Sequence, residues 1–135
     1  MPALTKDRAT PYREGVEIEF PVAANAKIYA GSLVSANSSG YAVPAADTAG
    51  QKFLGVAMGQ VDNTGGTNGA KSVVVRRAGV FEFDALSITQ NMVGDGMFLI
   101  DDHTFDDAAG AANDIRCGVL VKYVSATKGW IDINK

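Results

Sequence analysis

The chain has 135 residues, of which 47% are hydrophobic and 20% charged, a balance that fits one globular domain and excludes a disordered segment. A net charge of −3 supplies no basic field for nucleic-acid phosphates, and the single cysteine, Cys117, excludes an internal disulfide framework and a cysteine-rich zinc site. No apolar run approaches the about 20 residues that span a bilayer, and Met1 to Lys6 holds no hydrophobic signal core, so neither a membrane span nor secretory export is expected.

Residues 1–14 carry prolines at Pro2 and Pro11 and charges at Lys6, Asp7, Arg8, Arg13 and Glu14, with no helical or strand period. They are expected to form an extended N-terminal arm, with residues 15–135 as a single β domain. The segment Val16 to Val22 alternates cleanly: Val16, Ile18, Phe20 and Val22 face one way, Glu17 and Glu19 the other. Pro21 cannot donate to a ladder, which places this strand at an edge or ends it there. Glu17 and Glu19 have the spacing of a carboxylate pair, but they read as neighbours on a solvent face.

Short runs at Ile28 to Val34, Tyr41 to Val43 and Phe53 to Met58 follow, separated by turn residues such as Asn37-Ser38-Ser39-Gly40. Asn63 to Gly69 is rich in glycine. It lacks a lysine placed as in a phosphate-binding loop, and no helical pattern follows, so it reads as a flexible hairpin tip. Ser72 to Asp84 is the strongest strand signal. One register buries Val73, Val75, Phe81 and Phe83 together, and Gly79 allows either a single bent strand or two strands meeting at a turn. Leu86 to Val93 is ambiguous between a short helix and a connector. Ile115 to Val124 and Trp130 to Ile133 read as a terminal hairpin, with Cys117 as a buried thiol. Roughly eight to ten short strands result, the spacing of an all-β sandwich or small barrel of antiparallel strands.

Asp101, Asp102, His103, Asp106, Asp107 and Asp114 form the one site-like cluster in the sequence. Their spacing is not that of a calcium loop, and no second histidine completes a transition-metal set. The expectation is a solvated acidic surface loop without a tight metal site; crowding of its carboxylates would favour a cation or a basic partner. No nucleophile–base pair or paired-acid motif accompanies the lone histidine. No catalytic residue and no cofactor are expected, and a structural or interaction role follows by elimination.

The order of small motifs resembles the capsid decoration, or cement, proteins of tailed bacteriophages. The pieces are Ala30-Gly31-Ser32-Leu33-Val34, Gly40 to Ala45, Phe53-Leu54-Gly55-Val56-Ala57, Lys71 to Val75 leading to Gly79-Val80-Phe81, Val93 to Phe98, Cys117-Gly118-Val119-Leu120 and Trp130 to Ile133. The resemblance covers residues 15 to 133, and Phe53 to Phe83 is similar in layout to the lambda-type head-decoration proteins. It implies a non-enzymatic protein on the outer surface of a virion, made in the host cytoplasm. It also implies the major capsid protein as partner, self-association as a homotrimer or a dimer, no cofactor, and no nucleic-acid or membrane partner. On this reading residues 1–14 are a docking arm, mobile when free and ordered on the shell. Thr5, Lys6, Asp7, Arg8, Ala9 and Thr10 are then the contacts, because prolines limit strand pairing to the residues between them. The alternative is a ligand- or carbohydrate-binding β-barrel on a virion surface, for which Tyr12, Tyr29, Tyr41 and Trp130 are the available aromatics.

Overall fold

The computed structural model describes residues 3–134. In chain order the strands are β1 (Glu17–Pro21), β2 (Lys27–Ile28), β3 (Leu33–Ala36), β4 (Ala42–Pro44), β5 (Lys52–Ala57), β6 (Val61–Asp62) and β7 (Ser72–Arg76). They continue with β8 (Val80–Ala85), β9 (Gly96–Leu99), β10 (Thr104–Asp106), β11 (Arg116–Ser125) and β12 (Lys128–Asp132). A 3-10 turn at Gln90–Met92 is the one helical piece among the described residues. The protein is all-β.

Strands β1, β7, β5, β3 and β4 form an open sheet in that spatial order, and β10, β8, β12, β11 and β9 close a barrel. Strands β2 and β6 make a separate two-stranded ladder. All ladders are antiparallel except β8–β10, which is parallel over Thr104↔Asp84 and Phe105↔Ala85. Strand β1 lies at the sheet edge, where Pro21 costs no ladder bond.

Two cores result. The barrel core gathers Phe83, Ile88, Met97, Leu99, Phe105, Leu120 and Ile131, with Leu33 and Val56 added from the open sheet. The second core holds Val22, Ile28, Val34, Ala42, Ala57, Val73 and Val75. Strand β3 lies between them and is buried along its whole length, which is why Leu33 and Val34 are both apolar where a half-exposed strand would alternate. Gly129 makes room inside the barrel: a Cβ there would stand 2.8 Å from Leu120 Cδ1 and 3.0 Å from Ile88 Cδ1.

Three expectations change. First, of the two arrangements that Gly79 allows, two strands form, but Val73, Val75, Phe81 and Phe83 do not share one core face. Val73 and Val75 pack in the second core, whereas Phe83 and the part-buried Phe81 belong to the barrel. The chain crosses between sheets at Arg77-Ala78-Gly79, with Gly79 at φ +128°. Arg77 turns out to solvent; its N–H donates to Val16 O at 2.7 Å and its guanidinium to Gly15 O at 3.2 Å.

Second, the acidic segment is not wholly a surface loop. Its middle, Thr104–Asp106, is a barrel strand, and Phe105 is completely buried. Third, Asn63 to Gly69 is not a hairpin tip, since β6 pairs with β2 and β7 with β1 and β5. Asn63 is buried, and its amide donates to Ala23 O at 2.9 Å and Thr67 O at 3.0 Å. Asn68 Oδ1 accepts the Ala24 N–H at 2.8 Å, so this loop is fastened to the connection after β1. The terminal hairpin forms as expected between β11 and β12.

Candidate functional site

Two surface features stand out, an exposed N-terminal segment and a polar cleft on the barrel. Thr5, Lys6, Asp7, Arg8, Ala9 and Thr10 are all exposed and lie outside every strand. Within this segment Thr10 N–H donates to Arg8 O at 3.0 Å, and the Arg8 guanidinium to Thr10 Oγ1 at 3.1 Å. Met1 and Pro2 lie outside the described residues, and with them the limit on pairing expected from Pro2. The segment joins the domain through Arg13, whose guanidinium grips Glu19 with two bonds of 3.1 Å. This contact holds the exposed Glu19 carboxyl below its ordinary pKa, chiefly by the hydrogen bond from Arg13. Glu17 faces Arg76 across the β1–β7 ladder at 2.7 Å. Both glutamates therefore serve ion pairs, which accounts for their place on the solvent face.

The cleft, about 270 Å³, is lined by Gly31, Glu82, Phe83, Asp84, His103 and Lys128. It exists because the parallel ladder sets the turn before β10 beside the end of β8, while antiparallel pairing sets Lys128 opposite Asp84. His103 Nδ1 lies 3.0 Å from Asp84 Oδ2, and Nε2 lies 3.6 Å from Asp101 Oδ1. The bond from Asp84, opposed by desolvation and helped by the charges of Asp101 and Asp102, raises the His103 pKa above its ordinary 6.5. Ligand atoms of Asp101, Asp102 and His103 come within 4.8 Å of one another. A metal needs the neutral imidazole, however, and carboxylates at both ring nitrogens favour the protonated one.

The remaining acidic residues are dispersed. Asp106 is buried on β10. Asp107 Oδ1 accepts the Ala109 and Gly110 N–H groups at 3.1 and 3.2 Å. Asp114 stands at φ +51° after a turn that Asp47 holds from another loop. The Asp47 carboxylate accepts the Ala112 N–H at 2.6 Å and the Asn113 N–H at 2.9 Å. Cys117 is buried, and desolvation pushes its thiol up to about 12, outside the range of a nucleophile at neutral pH.

The aromatics do not converge. Tyr12 is 84% exposed on the N-terminal segment, and Tyr29 is 53% exposed beneath Lys27 Nζ, 5.1 Å from its ring centroid. Tyr41 and Trp130 are part-buried on the sheet and the barrel. Sequence reading did not join Asp84, Glu82 and Lys128 to His103. Nothing local marks that grouping, because it arises from the parallel β8–β10 contact and the antiparallel β8–β12 ladder, both distant in sequence.

Comparison with protein-family models, curated proteins and solved structures finds no match for this chain.

Proposed function

We propose that this protein is a non-enzymatic decoration protein, which binds the outside of a tailed-phage capsid and stabilises the shell by bridging its subunits. The observation that carries this reading is the exposed polar segment of residues 3–15 running directly into the edge strand β1. Such a segment has few apolar groups to bury on its own domain, and it is placed to add a strand to a partner's sheet. The ordered series of motifs from Ala30 to Ile133 supports the same class.

The mechanism is multivalent. A body contact and an arm contact on neighbouring shell subunits make the second contact intramolecular, which raises its effective concentration. Binding to the expanded lattice in preference to the unexpanded one stabilises the expanded lattice by mass action. Thr5 to Thr10 make the arm contact with the major capsid protein. The protein associates with itself as a homotrimer, with a dimer as the alternative, on the outer surface of the virion.

The test is to strip capsids of the protein and heat them with and without added protein. Restored resistance to rupture supports the proposal, and equal rupture temperatures refute it. Binding to a glycan array without binding to capsids would favour the carbohydrate-binding alternative.

A further inference from the structure

We infer that His103 is a proton-operated clasp that fastens the junction between the barrel and the open sheet. The turn that carries it is bonded to both. On the barrel side, Asp84 N–H donates to His103 O at 3.0 Å. On the sheet side, Leu33 N–H, at the start of β3, donates to Asp102 O at 2.8 Å. Asp47 N–H donates to Ile100 O at 3.2 Å just before the same turn. The backbone of residues 100–103 is thus a common anchor for β8, for β3 and for the loop that holds Asp47.

The anchor sits on one of the two shortest seams of the barrel, both of them made by β10. Strand β10 meets β8 over only the pairs Thr104↔Asp84 and Phe105↔Ala85. A side-chain link across that seam therefore adds in proportion more than it would in the long β11–β12 hairpin. His103 supplies the link through Nδ1 to Asp84 on β8, while Nε2 faces Asp101 on its own turn.

The surrounding charges make the link depend on the proton. Asp84 and Glu82 face the cleft from β8, Asp101 and Asp102 flank the ring from the turn, and Lys128 faces it from β12; the Gly31 turn brings no charge. With His103 protonated, two cations stand among four carboxylates. Loss of that proton leaves Lys128 alone among them and removes the ring's positive charge from between Asp84 and Asp101. The raised pKa of His103 gives the direction. The clasp is fully closed below the unfolded-state value near 6.5 and opens as pH rises through the higher folded-state value. Because the ring is exposed, the effect is local rather than a global loss of structure. The device works whether or not the chain binds a shell.

The experiment is solution NMR on the full-length protein and on His103→Gln and Asp84→Asn, all surface changes that leave the cores intact. The His103 ring should titrate above 6.5 in the native chain and move down in Asp84→Asn. Between pH 5.5 and 8.5 the protection of the Leu33 amide, corrected for intrinsic exchange, should fall about two- to fivefold, the range an exposed ion pair supports. That fall is measured relative to the distant Asn63 amide, which donates to Ala26 O, and it should vanish in His103→Gln. A ring that titrates at or below 6.5, a Leu33 protection that does not change with pH, or an equal fall in His103→Gln would each overturn the clasp.

Discussion

Val75 and Phe83 lie on strands joined by a three-residue crossing, yet they bury their side chains in different cores. Val75 packs with Val22, Ile28 and Val34, whereas Phe83 packs with Ile88, Phe105 and Ile131. The two sets meet through β3, whose adjacent Leu33 and Val34 face one core each. The fold is thus a barrel and an open sheet, with β3 of the sheet contributing Leu33 to the barrel core and Val34 to its own.

Mutations in the two cores should therefore be independent. Phe105→Ala should cost about 3–5 kcal/mol in denaturant unfolding, and Glu82→Ala should stay within about 0.5 kcal/mol. The double mutant Val75→Ala with Phe83→Ala should show additivity within about 0.5 kcal/mol. A coupling well above that value would mean that the two side chains share one core after all.

Asn63 should act as a structural staple. Asn63→Ala removes the donor that serves Ala23 O and Thr67 O in a buried setting, and should cost about 1–3 kcal/mol. Amide exchange should speed up together at Gly66 and Gly69, whose N–H groups bond Asn63 O and Val22 O. Exchange confined to Asn63 itself would contradict the staple.

Asp47 should confer acid sensitivity on the turn it holds. The Ala112 N–H bond, with Asn113 assisting, keeps the Asp47 carboxyl below its ordinary 3.8. Its contribution is present above the unfolded-state value and is lost as pH falls through the lower folded-state value. Limited proteolysis between residues 107 and 114 should accelerate below pH 4 in the native chain. In Asp47→Ala it should be fast at every pH; a variant that keeps the native profile would remove Asp47 from this role.

Cys117 should be inert while the fold is intact. Its thiol lies in the barrel core with Sγ 3.6 Å from Met97 O, and its pKa is pushed up to about 12. Iodoacetamide at pH 8 should label it only on the timescale of unfolding. Rapid stoichiometric labelling of native protein would show that the barrel is open at that strand.

Local pattern carried much of this fold. The alternation of Val16 to Val22 identified β1, Pro21 identified its edge position, and Trp130 to Ile133 closed the terminal hairpin as read. What failed was non-local. Val73, Val75, Phe81 and Phe83 keep one parity through Gly79, and parity cannot reveal that the chain changes sheets there. Phe105 is a single aromatic among aspartates and alanines, so a three-residue strand left no period to detect. Asn63 was hidden in a run of turn-formers because its bonds go to carbonyls forty residues away. The exposed N-terminal segment was legible from its charges and prolines. The His103 cleft was half legible: Asp101 and Asp102 adjoin the histidine in sequence, but Asp84 and Lys128 arrive only through strand pairing.

The central claim is that the N-terminal arm docks this domain onto a capsid, and removing the arm tests it most directly. Residues 3–13 are exposed and outside every strand, so deletion of residues 2–13 should leave the melting temperature nearly unchanged. The decisive measurement is the affinity of full-length and truncated protein for expanded capsids, read by co-sedimentation over a range of protein concentrations. Full-length protein should bind saturably, and the truncated protein should bind at least about a hundredfold more weakly, the low side of what losing one of two linked contacts produces. If both chains decorate capsids equally, or if neither binds, the docking account is contradicted.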